Sequence, residues 1–412
     1  MTSAIYRMYN EIIITALQDA KIQINKSRRK FMLEIFMLFL SIPKRINFLQ
    51  LERYSDYGEQ RFRRQFEEKF DFISFNKALS MPYLSNRTAL ALDPSFIHKS
   101  GKHTPGIGYF WSGCAGKVMR GLEILSLSVI DASSSLSFHL QAIQTPSVGC
   151  LHNHNFTLID WYAAVIKKYK ARILEITSYV VADAFFAKKG FVDKIIATGL
   201  HLVCKLRDDA DLSYIYKESD KEKETKKKGR KRKYGGKVDP ANLDNKHFTN
   251  VPNQRDIKAK AGIVYSKSLK RKLLVVVEEF VVKGKTTQRL LFSTDILQAP
   301  IDVMDIYHTR FQMEFGFRDA KQFTGLENSQ SRSGNKLDFH FNASLTAVNI
   351  AKIIQFNDKD RRELPFSMDT YKKLFHNALL LKTFFAKFGI CADLPKNKKI
   401  FNELLFFGVY AA

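Results

Sequence analysis

Acidic residues are scarce here relative to basic ones: 41 Asp and Glu stand against 66 Lys and Arg, a formal charge of +25. That imbalance points to a polyanionic partner, nucleic acid first and a membrane surface second. Cysteine is scarcer still. Cys114, Cys150, Cys204 and Cys391 lie far apart with no CxxC pair, which leaves no disulfide framework and fits a reducing compartment. Cys150, His152 and His154 alternate like metal ligands, but no second ligand pair follows at a finger-like spacing. Long hydrophobic runs are missing. The most apolar stretch, "FMLEIFMLFLSIP" (31–43), is too short to span a bilayer and carries Glu34. It reads as a buried helix, and no membrane partner is expected. The N-terminus shows no short apolar core leading to a small-residue cleavage site, so no signal peptide is expected. Tryptophan occurs only twice, against 34 Phe and 16 Tyr. With 45% hydrophobic residues over 412 positions, the chain should fold around a large core, with more than one domain.

What is present changes character along the chain. Residues 1–84 read as helical. A short apolar-periodic helix from Ile46 to Arg53 meets a polar turn and then a basic helix with Arg61, Arg63 and Arg64. That layout is either a DNA-reading helix-turn-helix or a helical hairpin with a solvated basic face. From residue 85 the pattern turns to strands. "ALALDPSFI", "EILSLSVID" and "FHLQAI" come first, then a helix "TLIDWYAAVIKKYKAR", a strand "YVVAD", a helix "AKKGFVDKIIATG" and a strand "HLVCKL". Three strands followed by alternating helices and strands predict a mixed sheet with helices packed on it, an α/β fold. Residues 208–298 interrupt the alternation. They hold the charge run "KEKETKKKGRKRKYGGK" (221–237), which is a solvated loop or a phosphate-binding arm, and three further strand-like runs. Residues 299–357 and 358–412 return to helix.

Two aspartates stand in otherwise apolar strand runs: Asp93 in "ALALD" and Asp183 in "YVVAD". A buried strand tolerates a carboxylate poorly unless the charge is paired or binds a cation. Asp131, in "SLSVIDASSS", reads as a turn residue. Further on, "YHTRFQMEFGFRDAK" (307–321) reads as one helix. At about 100° per residue it places Tyr307, Arg310, Glu314 and Lys321 within roughly 60° of one another. Three carboxylates, Asp93, Asp183 and Glu314, brought to one spot would repel unless a divalent cation held them, and hard oxygen ligands select Mg²⁺ or Mn²⁺.

The spacing Y-x2-R-x3-E-x6-K at Tyr307, Arg310, Glu314 and Lys321 resembles the YREK signature of DDE transposases of the insertion-sequence-four family. "LDPSFIHKSGKHTPG" resembles that family's first-aspartate region and "VADAFFAKKGF" its second. The resemblance spans roughly residues 85–355. It implies a ribonuclease-H-like core in two parts (85–207 and 299–357), interrupted by the β-rich insertion 208–298, with helical N-terminal and C-terminal regions. It implies Asp93, Asp183 and Glu314 as catalytic ligands of two Mg²⁺ or Mn²⁺ ions, and Asp183 rather than Asp131 as the second carboxylate. Tyr307, Arg310 and Lys321 would grip DNA phosphates, with Lys99 and Lys102 adding contacts or simply solvated. Implied partners are double-stranded DNA, as element ends and as target, and a second protomer in the end complex. The implied setting is the bacterial cytoplasm, at the nucleoid. A hairpin intermediate with a flipped base would need Tyr265, Phe280 or Phe292 in place of the tryptophan that relatives carry in the insertion. Three alternatives stay open: a ribonuclease-H-like nuclease without strand transfer, an inactive DNA-binding relative, and a structural basic protein.

Overall fold

Five helices open the chain: α1 (Ala4–Asp19), α2 (Lys26–Ser41), α3 (Phe48–Arg53), α4 (Glu59–Gln65) and α5 (Phe72–Ser80). The computed structural model describes residues 4–216 and 233–409, apart from 254, 256, 283, 392 and 393. Most of the 221–237 charge run lies outside those residues. Asn25, Asn47 and Asp71 cap α2, α3 and α5 by accepting from backbone N–H groups that a helix start leaves orphaned. The apolar run of α2 is buried as expected, with Phe31, Met32, Ile35, Phe36, Phe39 and Leu40 in the core. Arg28 at the start of α2 is also buried. It donates to the Gln65 carbonyl at 2.6 Å and lies over the Phe31 and Phe339 rings. This ties α2 to α4 and to a helix far later in the chain, through Phe339.

The sheet begins with β1 (Thr88–His98), β2 (Gly108–Ser112), β3 (Lys117–Asp131) and β4 (Leu136–Gln144), with β1, β2 and β4 each antiparallel to β3. The short strand β2, "GYFWS", was not among the expected elements. A brief α6 (Val148–Asn153) precedes α7 (Leu158–Leu174), whose start carries a Thr157–Asp160 capping box. Then β5 (Tyr179–Ala182) pairs parallel with β1. After α8 (Lys189–Ile196), β6 (His201–Lys205) pairs parallel with β5. This is the mixed sheet that the alternation predicts.

The interrupting segment supplies β7 (Leu212–Ile215), β8 (Tyr234–Lys237), β9 (Thr249–Asn250), β10 (Lys258–Ser266), β11 (Arg271–Val282) and β12 (Lys285–Ser293). Its strands extend the core sheet, because β12 pairs antiparallel with β6. Twelve strands among the described residues make one sheet in the order β2-β3-β1-β5-β6-β12-β11-β10-β7-β8, with β4 on β3 and β9 on β10. The last helices are α9 (Pro300–Thr309), α10 (Gln312–Phe323), α11 (Gly334–Asn357), α12 (Met368–Lys387) and α13 (Pro395–Leu405).

α11 is buried nearly all round, because it lies between β4 and the helices α2 and α5. Its polar residues serve the edge of the sheet. Asn342 accepts from the Ala142 N–H at 2.7 Å and donates to the Ala142 carbonyl at 3.0 Å. Asn349, two turns on, does the same for the N–H and carbonyl of His139, at 2.9 and 2.7 Å. The open edge of β4 thus has its backbone groups satisfied by two side chains rather than by another strand. The architecture is an α/β, ribonuclease-H-like fold with flanking helices and helical terminal regions. Among the described residues no helix is long and apolar enough to cross a membrane.

Candidate active site

Strand register decides which carboxylates can meet. β1 and β5 pair at Leu90–Val180 and Ala91–Val181, so two residues further on Asp93 and Asp183 stand side by side on the same sheet face. Asp93 also lies opposite Ser126 of β3. Asp183 is the first residue past β5, where its carboxylate accepts from the Phe185 N–H at 3.0 Å and caps a short 3₁₀ turn. Asp131 pairs with Thr88 at the far end of β1, about 17 Å from Asp93 by strand rise and on the opposite face by alternation. It accepts from the Ser85 N–H at 2.6 Å, the Ser85 hydroxyl at 2.8 Å and the Ser133 N–H at 2.8 Å. It is the turn residue its sequence suggests.

Glu314 arrives from α10, which covers the Asp93 face. The expected single helix over 307–321 is in fact two, α9 and α10, joined through Arg310 and Phe311. The Met313 N–H bonds to the Arg310 carbonyl and the Glu314 N–H to the Phe311 carbonyl, three residues back in each case. The chain tightens to 3₁₀ winding there, so straight-helix angles do not hold across the joint. The joint brings Arg310 into the site. Its guanidinium is 3.5 Å from Glu314 and 5.9 Å from the Tyr307 ring centroid, and its charge acts on Asp93. Its Nε is buried without a hydrogen-bond partner, so donor capacity is left over.

The electrostatics follow from this crowding. Burial pushes the Asp93 carboxyl up to about 7; Arg310 pulls it down, and Asp183, Glu314 and Glu123 push it further up. Tyr307 is also raised, chiefly by burial, with Arg310 opposing. Glu123 was missed in the sequence because "LEILSLSVID" reads as an ordinary buried strand. It faces away from Asp93, is buried, and accepts from the Tyr162 hydroxyl at 2.6 Å. Cys204, beside Asp183 on β6, donates its thiol to the Asp183 carbonyl at 2.9 Å. Only tertiary pairing reveals it as a neighbour of the site.

The oxygen-only donor set and the raised Asp93 carboxyl fit a hard divalent cation. The three acids do not close to ligating distance: among the described residues no group of three His, Cys, Asp or Glu is placed to hold a metal ion. Glu314 is turned toward Arg310 instead. Cys150, His152 and His154 do not come together as a metal-holding group either. His154 Nδ1 contacts the Cys150 carbonyl at 2.9 Å on an exposed short helix.

Several expected phosphate contacts are otherwise engaged. Lys321 donates to the Phe96 carbonyl at 2.7 Å and lies 3.5 Å from Glu327, so it fastens α10 to β1. Lys99 donates at 2.5 Å to the carbonyls of both Glu327 and Ser329, and burial lowers it to about 8. It is a strut for the loop after α10. Lys99→Met should therefore lower thermal stability by several degrees, since it orphans two half-buried carbonyls at about 1–3 kcal/mol. Thermal melts and DNA affinity measured together check this; an unchanged melt with reduced affinity would return Lys99 to the phosphate contacts. Lys102 is exposed. In the N-terminal hairpin, Arg61 lies 3.8 Å over the Tyr57 ring, and Arg63 pairs with Glu59 while covering Phe48. Arg63 and Arg64 are both exposed, and Arg64 makes none of these contacts. Of the aromatics considered for a flipped base, Phe292 is fully buried in the core and is ruled out. Phe280 lies under Arg289, and Tyr265 packs against Tyr234.

Residues 158–350, just under half of the chain, match the family model of the transposase DDE domain. The matched stretch contains Asp183, Tyr307, Arg310, Glu314 and Lys321 and begins after Asp93. No curated protein matches the chain. The family match supports a transposase-type nuclease with DNA as partner; such domains generally use divalent metal ions.

Proposed function

We propose that this chain is a transposase of the insertion-sequence-four kind, carrying the YREK arrangement at Tyr307, Arg310, Glu314 and Lys321. It binds the ends of a mobile element, cuts the DNA by hydrolysis and joins the freed 3′-OH ends to target DNA. One observation carries this reading. Asp93 and Asp183 stand in register on the sheet face covered by the helix that brings in Glu314 and Arg310, and most of that assembly lies in the stretch matching the transposase DDE domain.

Asp93, Asp183 and Glu314 would hold two Mg²⁺ or Mn²⁺ ions, which when bound supply charge neutralisation at the attacking and leaving oxygens. Arg310 would orient the scissile phosphate through its unused donors. Tyr307 shapes the pocket beneath that guanidinium. Lys321 fastens α10, which carries Glu314, to β1. Lys102 and Arg64 would add phosphate contacts, the latter as part of an end-reading role for residues 1–84. Two copies of the chain would hold the two ends.

Pre-cleaved element ends incubated with a supercoiled target plasmid and Mg²⁺ test the proposal. Joined products are expected. Cutting of uncleaved ends without joining would replace the transposase with a nuclease, and neither reaction would remove the catalytic reading.

A further inference from the structure

β2 and the first turns of β3 form a ribbon that runs past the core sheet, and its outward face is aromatic. Tyr109 pairs with Arg120 and Trp111 with Val118, so these four share one face. Tyr109, Trp111 and Val118 are exposed by 67%, 60% and 58%. Phe110, on the other face, is buried and pins the ribbon down. Register places the exposed face on the Asp93 side. Asp93 lies opposite Ser126, and Val118 and Arg120 are an even number of residues from Ser126 on the same unbroken strand. The offset along β3 from Ser126 to Val118 is about 27 Å. Residues 99–122 carry Lys99, Lys102, Lys117 and Arg120 and no acidic residue.

We propose that this ribbon is a stacking platform for an unpaired DNA strand leading from the site. Tyr109 and Trp111 are two residues apart, roughly 6.8 Å along the strand, which suits two successive bases of an extended strand. A bare aromatic face invites a flat apolar partner, and flanking cations without acids make that partner anionic. Nucleobases on a phosphate backbone meet both conditions, whereas an apolar protein partner leaves the charge unexplained. Arg120 is already fixed beside the ribbon by its bond to the Ser100 carbonyl at 2.7 Å, and Lys117, paired with Ser112, stands on the Phe110 face, so the exposed Lys102 is the cation of this segment left to follow the backbone. The inference rests on DNA being the partner and adds to it a strand type and a surface.

The chain has only two tryptophans, and Trp161 is half-buried against Tyr162. A full-length Trp161→Phe variant therefore makes Trp111 the sole indole reporter. Titration with oligo(dT) of about 12 nucleotides, within single-strand site sizes, should quench its emission, while a duplex of equal length should not. Tyr109→Ala and Trp111→Ala should each weaken oligo(dT) binding about five-fold or more, with duplex affinity and melting temperature unchanged. A 2-aminopurine oligonucleotide with the unsubstituted chain gives the same readout if Trp161→Phe folds poorly. Absent quenching, equal losses on single strand and duplex, or a change in sedimentation of Trp111→Ala that reveals self-association would each overturn the platform. None of these measurements needs cleavage. An enzyme that cuts element ends without quenching loses only the ribbon proposal, and quenching without cutting loses only the catalytic one.

Discussion

Asp93→Asn, Asp183→Asn and Glu314→Gln should each abolish strand cleavage, a loss of at least about 10³-fold, while end binding persists. Each substitution keeps the shape and removes a negative oxygen from an all-oxygen donor set, and a cation held by three carboxylates does not tolerate losing one. Gel shifts and cleavage assays on the same DNA separate the two effects. Retained cleavage in any variant would remove that residue from the set. Asp93→Asn carries a second consequence, in stability. The Asp93 carboxyl sits at about 7 in the folded chain against an ordinary 3.8, because burial and the neighbouring acids penalise its charge. Between those values the unfolded chain gives up the proton and the folded chain keeps it, so stability falls as pH rises through that window and stays low above it. Asp93→Asn should therefore melt at a higher temperature than the natural chain at pH 8, with the difference vanishing near pH 4. An inactive variant that is more stable at neutral pH would mark Asp93 as a residue held for chemistry at a cost in folding. Equal melting curves at pH 8 would show that the carboxyl is not strained.

The second large effect is expected at Arg310. Arg310→Met should lower cleavage and joining by about 10²-fold or more, because a misplaced scissile phosphate loses its in-line geometry. The same change removes a cation that lowers Asp93, so the acid limb of the pH–rate profile should move to higher pH. Arg310→Lys should restore part of that shift but less of the rate, since a lysine lacks the fork that meets two phosphate oxygens. Lys321→Met should behave differently. Its ammonium is spent on the Phe96 carbonyl and Glu327, so the loss should appear first as a lower melting temperature. Full joining by Arg310→Met at an unshifted pH would leave Arg310 as a packing residue.

Much of this protein is legible in its sequence, where local rules bind tightly. The α2 run is buried because thirteen residues with a single acid have nowhere else to go. β1, β3, β4, β5 and β6 appear where apolar runs are bounded by Gly, Ser and charged residues. Asp93 and Asp183 stand out because a carboxylate in an apolar strand has to be accounted for. Asp131 was separable as a turn residue from the serines around it. The spacing of Tyr307, Arg310, Glu314 and Lys321 was visible, but not what each does, because spacing carries no information about partners.

Tertiary structure decided the rest. Only strand register shows that Asp93 and Asp183 are neighbours on one face while Asp131 is far away on the other. Only the join of β12 to β6 shows that the interrupting segment extends the core sheet. Lys321 reads as a phosphate contact, and Lys99 as a phosphate contact or a solvated lysine, until the carbonyls of residues 327, 329 and 96 are brought beneath them. The helix over 307–321 breaks at Arg310, where α9, packed on β6, β11 and β12, gives way to α10, packed on β4. Glu123, Cys204 and the exposed face of the β2–β3 ribbon had no local signature at all. Their meaning comes from what lies across the strand, and a linear sequence does not record which residue that is.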